Sequence, residues 1–168
     1  MTRFAIREAR PVDADGIARA HVTGWRDAYE GILPSSVIER ADIGQRADDR
    51  RRILADRDML SVVSFDVTHG DVVGLCDAGK SRRDPPGTGE IYALYLVHHA
   101  KRFGLGTEMF DYARTWLAAR GMPALVIWVL DNNPHAKRFY EAMGGRAAQA
   151  VPSRIAGFPI VERAYRWD

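Results

Sequence analysis

Lys101-Arg102-Phe103-Gly104-Leu105-Gly106-Thr107 is the most informative stretch of this chain, because it joins a strand pattern to a helix pattern. Upstream, residues 91–97 are apolar, aromatic and β-branched, which is typical of a buried strand. Downstream, apolar residues recur at helical spacing until Gly121 and Pro123 end the pattern. A glycine turn before a helix directs free backbone N–H groups and the positive end of the helix dipole toward a bound anion. The stretch therefore predicts a site for a phosphate or pyrophosphate.

The composition indicates one globular domain. The chain has 168 residues, of which 46% are hydrophobic, and its 24 basic and 22 acidic residues leave a net charge of +2. This even balance gives no indication of nucleic-acid binding, and no run approaches the ~18 apolar residues of a membrane span. The first seven residues lead into a strand pattern without the core of a signal peptide. We expect a single domain over residues 1–168, a cytoplasmic location, and neither nucleic acid nor membrane as a partner.

Isolated cysteine and histidine residues point to no other chemistry. Cys76 is the only cysteine, and it lies in an apolar run that favours a small buried hydrophobe over a nucleophile. His98 and His99 are adjacent, so they point apart on an extended chain, and no further ligand set accompanies them. We expect no metal site there, and we interpret His21 as a core histidine.

The order of elements predicts an α/β fold with a mixed sheet. The first part contains a strand at 4–9, a helix capped by Asp13, a helical piece at 25–29, a helix starting at Ser35 or Ser36 and an exposed helix at 45–57. A hairpin of 60–67 and 72–78 and a surface loop at 79–89 follow. The last part contains the strand–turn–helix unit, a strand at 124–130, a helix capped by Asn133 and a last strand at 160–167.

Three phosphate-binding signatures compete for the glycine turn. A Walker-type loop is excluded, because its Gly-Lys-Ser/Thr ending is absent. A dinucleotide fingerprint needs a small residue at position 109, where this chain has Met109. The third signature, Q/R-x-x-G-x-G/A, matches in spacing, with Lys101 in the first place and then Gly104 and Gly106. By itself a two-glycine turn is a weak signal.

A second motif follows at the right distance. Residues 133–140, Asn-Pro-His-Ala-Lys-Arg-Phe-Tyr, match N-x-x-A-x-x-F/L-Y on the helix after the next strand. With both motifs, the chain resembles the GNAT N-acetyltransferase superfamily, and residues 6–13, 25–34 and 90–96 extend the resemblance over most of the sequence. The resemblance implies a single-domain α/β fold with a mixed, splayed central β-sheet flanked by α-helices. The strands ending at Val97 and Leu130 would separate and admit acetyl-coenzyme A.

The resemblance also implies how acetyl-coenzyme A is held as a co-substrate, without a metal. Main-chain groups of Leu96 and Val97 would pair with the pantetheine arm, and one N–H there would polarise the thioester carbonyl. Asn133 would bind the pantetheine region. The pyrophosphate would lie on the turn, against backbone N–H groups of residues 102–107 and the charge of Lys101 or Arg102. The implied turn residues are Lys101, Arg102, Phe103, Gly104, Leu105, Gly106 and Thr107.

Two positions depart from the pattern of the superfamily. Lys101 replaces the usual glutamine or arginine, which keeps a charge but loses the planar fork of arginine. His98 and His99 stand where many relatives have proline, so the turn is expected to be looser. Neither change removes the backbone donors, and we expect binding of the cofactor to survive.

Two catalytic roles follow from the chemistry of acetyl transfer. The departing thiolate needs a proton, and the motif assigns this general-acid role to Tyr140. The attacking amine must be neutral, and Glu90, at the start of the strand leading to the site, is a candidate base that would act through water. Pairing of Glu90 with an arginine is an equally supported alternative.

The acceptor pocket is less well defined by the sequence. Trp25 and Tyr29 lie four residues apart on one helix face and either wall this pocket or pack in the core. Tyr92 and Tyr95 point to opposite faces of their strand, so one of them lines the pocket. The basic residues of the loop 79–89 would either attract an anionic acceptor or remain solvated.

These observations favour an enzyme that moves an acetyl group from acetyl-coenzyme A to a primary amine of a small molecule or a peptide. The rival interpretation is a catalytically silent acyl-coenzyme A sensor or partner-binding domain that uses the same cleft. Acetylation of an RNA-linked amine gains little support from the even charge balance. Relatives of this kind often form homodimers, so a homodimer is one expected assembly. The identity of the acceptor and the acyl-chain preference stay open.

Overall fold

The computed structural model describes residues 2–168. A first strand is followed by three helices, then by three strands, and only after these do helices and strands alternate; short 3₁₀ turns precede the first and fourth helices. The elements are β1 (Phe4–Glu8), α1 (Ala14–Tyr29), α2 (Ser35–Ile38), α3 (Ile43–Ala55), β2 (Leu60–Asp66), β3 (Val72–Lys80), β4 (Thr88–Leu96), α4 (Leu105–Ala118), β5 (Ala124–Leu130), α5 (Pro134–Ala142), β6 (Arg146–Ile155) and β7 (Phe158–Trp167).

The seven strands form one sheet in the order β1-β2-β3-β4-β5-β7-β6. All neighbours run antiparallel except β4 and β5, which are parallel. The parallel pairing covers only residues 88–91 of β4 and residues 124–127 of β5. Beyond these positions β4 is paired only with β3, and β5 is paired only with β7. The expected mixed, splayed sheet flanked by helices is therefore confirmed.

Helices cover both faces of the sheet and fix which side chains can reach the gap. On one face, α4 buries Met109, Phe110 and Leu117 against apolar residues of the central strands. On the other face, α1 buries Ile17 and Ala20 in a second cluster. Complete burial of a large apolar side chain contributes about 1.5–3 kcal/mol to stability. The two packed layers therefore hold β4 from both sides.

Helix α1 is longer than the sequence pattern predicts. Residues 25–29 are its last turns and not a separate helical piece. Gly24 lies inside the helix, and a Cβ at that position would come within 3.1 Å of the Cβ of Tyr95. Glycine here therefore allows close packing of α1 on β4 instead of ending the helix.

The C-terminal region contains a strand that the sequence pattern did not predict. A hairpin of β6 and β7 replaces the single expected strand at 160–167. Strand β6 is the edge of the sheet, and most of its side chains are exposed. An edge strand exposed on both faces has no apolar alternation by which it can be recognised. Across residues 2–168, no helix combines the length and the apolar character needed to cross a membrane.

Candidate active site

The parting of β4 and β5 opens a cleft of about 900 Å³. One wall is the second half of β4, from Ile91 to Leu96, and the other is the end of β5. The C-terminal end of α1, the turn before α4 and the first turns of α5 complete the lining. The cleft therefore connects the glycine turn and the helix motif that the sequence singled out.

The turn before α4 presents a row of backbone donors. Gly104 precedes the helix in the left-handed conformation with a φ of 81°, and Arg102 has a φ of 67°. The first helical bond runs from the N–H of Glu108 to the carbonyl of Gly104 at 3.0 Å. Among the described residues, none supplies an acceptor to the N–H groups of residues 102–107. These amides and the helix dipole make this end of the cleft suited to an anion.

The side chains of the turn differ in what they offer a ligand. Lys101 forms an ion pair with Asp27 of α1, so its charge is neutralised within the protein. Arg102 lines the cleft and supplies the available charge. Phe103 packs edge-on against Phe4 with ring centroids 5.1 Å apart.

The remaining turn residues support its backbone. The side chain of Leu105 is buried in the core, and Gly106 faces the ring of Phe139, to which a Cβ at that position would come within 3.4 Å. The hydroxyl of Thr107 lies 3.7 Å from the sulfur of Met143, outside the cleft lining. The turn therefore offers a ligand its main chain, while these side chains hold it in place.

Leu96 and Val97 differ in what their backbones offer. The N–H of Val97 donates to the carbonyl of Val73 at 2.9 Å, and its carbonyl accepts from Ala100. The expectation that Val97 presents main-chain groups to the cleft is therefore wrong. Antiparallel alternation then turns the backbone groups of Leu96 and Leu94 away from β3 and into the gap. Leu94 is a site residue that sequence reasoning missed, because only the register reveals which residues face the gap.

A β-bulge interrupts β4 beside the cleft. Asp77 pairs with Ala93 and Ala78 pairs with Ile91, so Tyr92 has no partner on β3. The hydroxyl of Tyr92 donates to the carbonyl of Lys80, and the residue lines the cleft. The bulge bends β4 where it leaves β5 and thereby helps to open the gap.

Asn133 lies in the short connection between β5 and α5, where it caps the helix. Its side-chain oxygen accepts from the N–H of Ala136 at 3.2 Å, which is the expected helix cap. The residue is buried and lines the cleft. Because the oxygen is used by the cap, the amide NH₂ group remains for a ligand.

Tyr140 projects from α5 into the middle of the cleft. The residue is 6% exposed, and it lines the cleft. Burial raises the pKa of Tyr140, and the nearby Cys76 and Tyr29 add to the increase. The phenol is therefore held in its protonated form, as a group that donates a proton must be. Cys76 is fully buried, as expected.

Glu90 lies outside the cleft lining. It is 1% exposed, and its carboxylate accepts from the backbone N–H of Arg82 at 2.9 Å and from the Nε of Arg82 at 3.1 Å. Arg82 in turn lies over the ring of Tyr92, 4.7 Å from its centroid. The structure thus favours the alternative in which Glu90 pairs with an arginine, and it does not bring Glu90 to a position for removing a proton from an amine.

One part of the cleft lining is aromatic, and we refer to it as the acceptor end because most of the expected acceptor residues lie there. Tyr29 and Tyr95 line it, and their hydroxyl oxygens are 3.4 Å apart. Trp128 of β5 lines it as well and was not singled out from the sequence, because its strand reads as continuously apolar. Trp25 packs instead with an apolar cluster around Leu33 and lies outside the cleft lining. Of the expected acceptor residues, the structure brings Tyr29 and Tyr92 to the cleft and leaves Trp25 beside it.

A buried polar network supports Tyr95 from behind. The Arg50–Asp77 ion pair is only 2% and 3% exposed, and Arg50 also donates to Nδ1 of His21 at 2.7 Å. His21 stacks on the ring of Tyr95 with centroids 5.0 Å apart. Burial, together with the positive charges of Arg50 and Arg46, lowers the pKa of His21 to about 3. The neutral imidazole is therefore a fixed core group, as the sequence predicted for His21.

Comparison with known proteins identifies the class that this fold and cleft define. Residues 24–145 match the model of the acetyltransferase (GNAT) family, which spans more than half of the chain. The chain therefore belongs to the GNAT acetyltransferase family. Over residues 2–168, no group of three or more His, Cys, Asp or Glu side chains is arranged to hold a metal ion.

Individual relatives agree with this assignment. The chain is 28% identical over 163 residues to the uncharacterized N-acetyltransferase YuaI of Bacillus subtilis, covering 96% of this chain and 91% of that protein. The PaiA N-acetyltransferase of Thermoplasma acidophilum, solved in complex with coenzyme A, has a TM-score of 0.75 at 17% identity, covering 97% and 98% of the two chains. YncA of Salmonella typhimurium, a putative acetyltransferase solved with acetyl-coenzyme A, has a TM-score of 0.71 at 18% identity, covering 99% and 94%.

Proposed function

We propose that this protein is an N-acetyltransferase that moves the acetyl group of acetyl-coenzyme A to a primary amine of a small molecule or a peptide. The observation that carries the proposal is the cleft between β4 and β5, which joins the free amides of the turn, the open edge of β4 and the hydroxyl of Tyr140. The two neighbours solved with coenzyme A or acetyl-coenzyme A support the same use of the fold.

The cofactor residues act mainly through their backbone. The pyrophosphate lies against the N–H groups of residues 102–107, with Arg102 adding charge. The pantetheine arm continues the sheet along the open edge of β4 by pairing with Leu94 and Leu96, and the NH₂ group of Asn133 binds it from the N-terminus of α5. Because these contacts are distributed along the cleft, they place the thioester near Tyr140.

Transfer proceeds by direct attack within a ternary complex. The amine nitrogen forms a bond to the carbonyl carbon of the thioester, whose oxygen is polarised by a backbone N–H of β4. As the carbon–sulfur bond breaks, Tyr140 gives its phenolic proton to the sulfur, and free coenzyme A leaves with the acetylated amine. The attacking nitrogen loses one proton to solvent through the open end of the cleft, and the phenolate of Tyr140 takes up a proton from solvent, which restores the phenol.

No carboxylate is required as a base in this proposal. Glu90 is held by Arg82 at 1% exposure, so its role is to hold the loop 81–87 against β4. The hydroxyls of Tyr29 and Tyr95 lie at the acceptor end and are suited to bind the neutral amine by hydrogen bonds. The amine therefore reacts in its neutral form, and the rate is expected to rise with pH up to the pKa of the amine.

Release of coenzyme A thiol, measured with acetyl-coenzyme A across a panel of primary amines, tests the proposal. We expect thiol release that depends on the amine, together with a product 42 Da heavier than the amine, about the mass of an added acetyl group. Intersecting initial-rate lines would support a ternary complex. Binding of coenzyme A without turnover on any amine would instead support the silent sensor, and no calorimetric heat with millimolar coenzyme A would contradict both. The expected homodimer and cytoplasmic location stay predictions, and light scattering after size exclusion tests the first.

A further inference from the structure

We propose that Trp128 and Glu162 form a cation site at the acceptor end of the cleft, which Arg83 occupies in the free protein and which a second positive charge on the amine substrate takes over. This inference rests on the proposed function, because it names the acceptor class as amines that carry another cationic group. Three sets of contacts carry it.

The first is the placement of Trp128 and Glu162 on neighbouring strands. Trp128 of β5 lies directly opposite Ala164 of β7, and Glu162 lies two residues before Ala164. Opposite residues of an antiparallel pair share one face, and so do residues two apart on a strand. The indole and the carboxylate therefore lie diagonally on the same face of the sheet, next to the cleft that Trp128 lines.

The second is the position of Arg83 between these two groups. Its guanidinium carbon lies 4.5 Å from the centroid of the Trp128 ring, and its Nη2 donates to Oε2 of Glu162 at 2.7 Å. An aromatic face combined with a carboxylate is the arrangement that binds an ammonium or guanidinium group. A side chain of the protein thus occupies the position of a cationic ligand.

The third is the contrast between Arg83 and its neighbour Arg82. Arg82 is anchored through three groups by the buried carboxylate of Glu90. Arg83 is 38% exposed and Glu162 is 18% exposed, and partly exposed ion pairs of this kind are weak. The loop 81–87 can therefore remain fixed by Arg82 while Arg83 moves aside.

The charge of Glu162 also reaches the acceptor side of the cleft. Burial raises the pKa of Tyr29, and the negative charge of Glu162 adds to this increase. This agrees with the strand register, which places the carboxylate on the same face as Trp128. Because both loop arginines are already neutralised by glutamates, the expectation of an anionic acceptor at this loop is not supported.

Kinetics with two matched probes test the site. We choose n-pentylamine and 1,5-diaminopentane, which have the same chain length and differ by one ammonium group. At saturating acetyl-coenzyme A, Glu162→Gln is expected to raise KM for the diamine at least about tenfold and to leave KM for the monoamine nearly unchanged. Arg83→Ala empties the site and is expected to lower KM for the diamine alone. Arg52→Ala, which removes an exposed arginine from its pair with Asp49 on α3, is the matched control.

A binding measurement separates this inference from the proposed function. The indole N–H of Trp128 has no hydrogen-bond partner within residues 2–168, so its ¹H–¹⁵N resonance, assigned with Trp128→Phe, reports on the site. With coenzyme A present, titration with the diamine is expected to shift this resonance. The affinity obtained from the shift should be higher in Arg83→Ala than in the unsubstituted protein, and Glu162→Gln should show no shift. A shift without acetylation of any amine would support the site and contradict the proposed function.

Two results would overturn the inference while leaving the proposed function intact. In the first, both probes are acetylated, Glu162→Gln changes their KM values equally, and the diamine does not shift the indole resonance of Trp128. The other is a rise in KM for 5-aminopentanoate in Arg83→Ala, because it would make Arg83 a carboxylate ligand of the substrate.

Discussion

Ile91 of β4 and Ile127 of β5 are the last paired positions of the two central strands. Beyond them, β4 continues to Leu96 and β5 to Leu130, each paired only with its outer neighbour. Parting two strands in the middle of a sheet leaves backbone N–H and C=O groups that need new partners. The cleft thus offers a ligand hydrogen-bonding groups of the main chain itself, and its edge requires no particular side chain.

The turn before α4 should be sensitive to loss of its glycine. Gly104 and Gly121 flank the same helix, both have left-handed φ values, and a Cβ at either would meet no atom within 4 Å. Alanine at either position should therefore cost about 1–2 kcal/mol of stability through backbone strain. Only Gly104→Ala should also weaken coenzyme A binding, because only that turn carries the anion-binding amides. Calorimetric titration and urea unfolding measure both effects, and equal affinities in the two variants would contradict the assignment.

Removal of the Tyr140 hydroxyl should slow the chemical step without weakening the binding of coenzyme A. We expect Tyr140→Phe to lower kcat by at least about 100-fold, the usual contribution of a general acid. Tyr112→Phe removes a hydroxyl that bonds Glu8 on the outer side of α4 and is the control. Stopped-flow measurement of thiol release under single-turnover conditions separates chemistry from product release. An unchanged rate in Tyr140→Phe would remove the proton-donor assignment.

The sequence predicted the parts of this site that depend on local pattern. The turn, the helix cap at Asn133 and the position of Tyr140 on α5 follow from residues within a few places of one another, since capping and glycine turns are local. The strand Ala124–Leu130 was predicted at its observed bounds because a buried strand reads as a continuous apolar run.

The remaining features depend on register and on distant partners. Whether Leu94 or Val97 faces the gap is set by alternation against β3, which no local pattern contains. The pairing of Lys101 with Asp27 joins residues 74 positions apart, and that of Arg83 with Glu162 joins residues 79 apart. Such contacts become visible only once the topology is known.

Substitution of Glu90 should affect the loop 81–87 and not proton transfer. Because its carboxylate is held by Arg82, Glu90→Gln should change kcat/KM less than about tenfold and keep the acidic limb of its pH profile. Arg82→Met breaks the same pair from the other side and should lower the melting temperature more, since it leaves a buried carboxylate without its partner. Loss of the acidic limb in Glu90→Gln would show that Glu90 acts as a base.

His21 should make the stability of the fold depend on pH. Its pKa is lowered to about 3 in the folded protein, whereas an unfolded histidine has a pKa near about 6.5. As pH falls below 6.5, His21 becomes protonated in the unfolded chain but stays neutral in the folded protein. The free energy of unfolding therefore decreases by up to about 1.4 kcal/mol per pH unit. Above pH 6.5 this contribution to the pH dependence vanishes.

His21→Asn isolates this effect, because the asparagine oxygen can accept from Arg50 but does not titrate. Urea unfolding of both proteins at pH 7, 5.5 and 4.5 should give a stability difference that changes by about 2–3 kcal/mol in favour of the variant as the pH is lowered. Parallel curves for the two proteins would mean that His21 titrates equally in the folded and unfolded states. In that case its imidazole would not be held neutral behind Tyr95, and the rigid support that the buried network gives to the acceptor end of the cleft would be lost at mildly acidic pH.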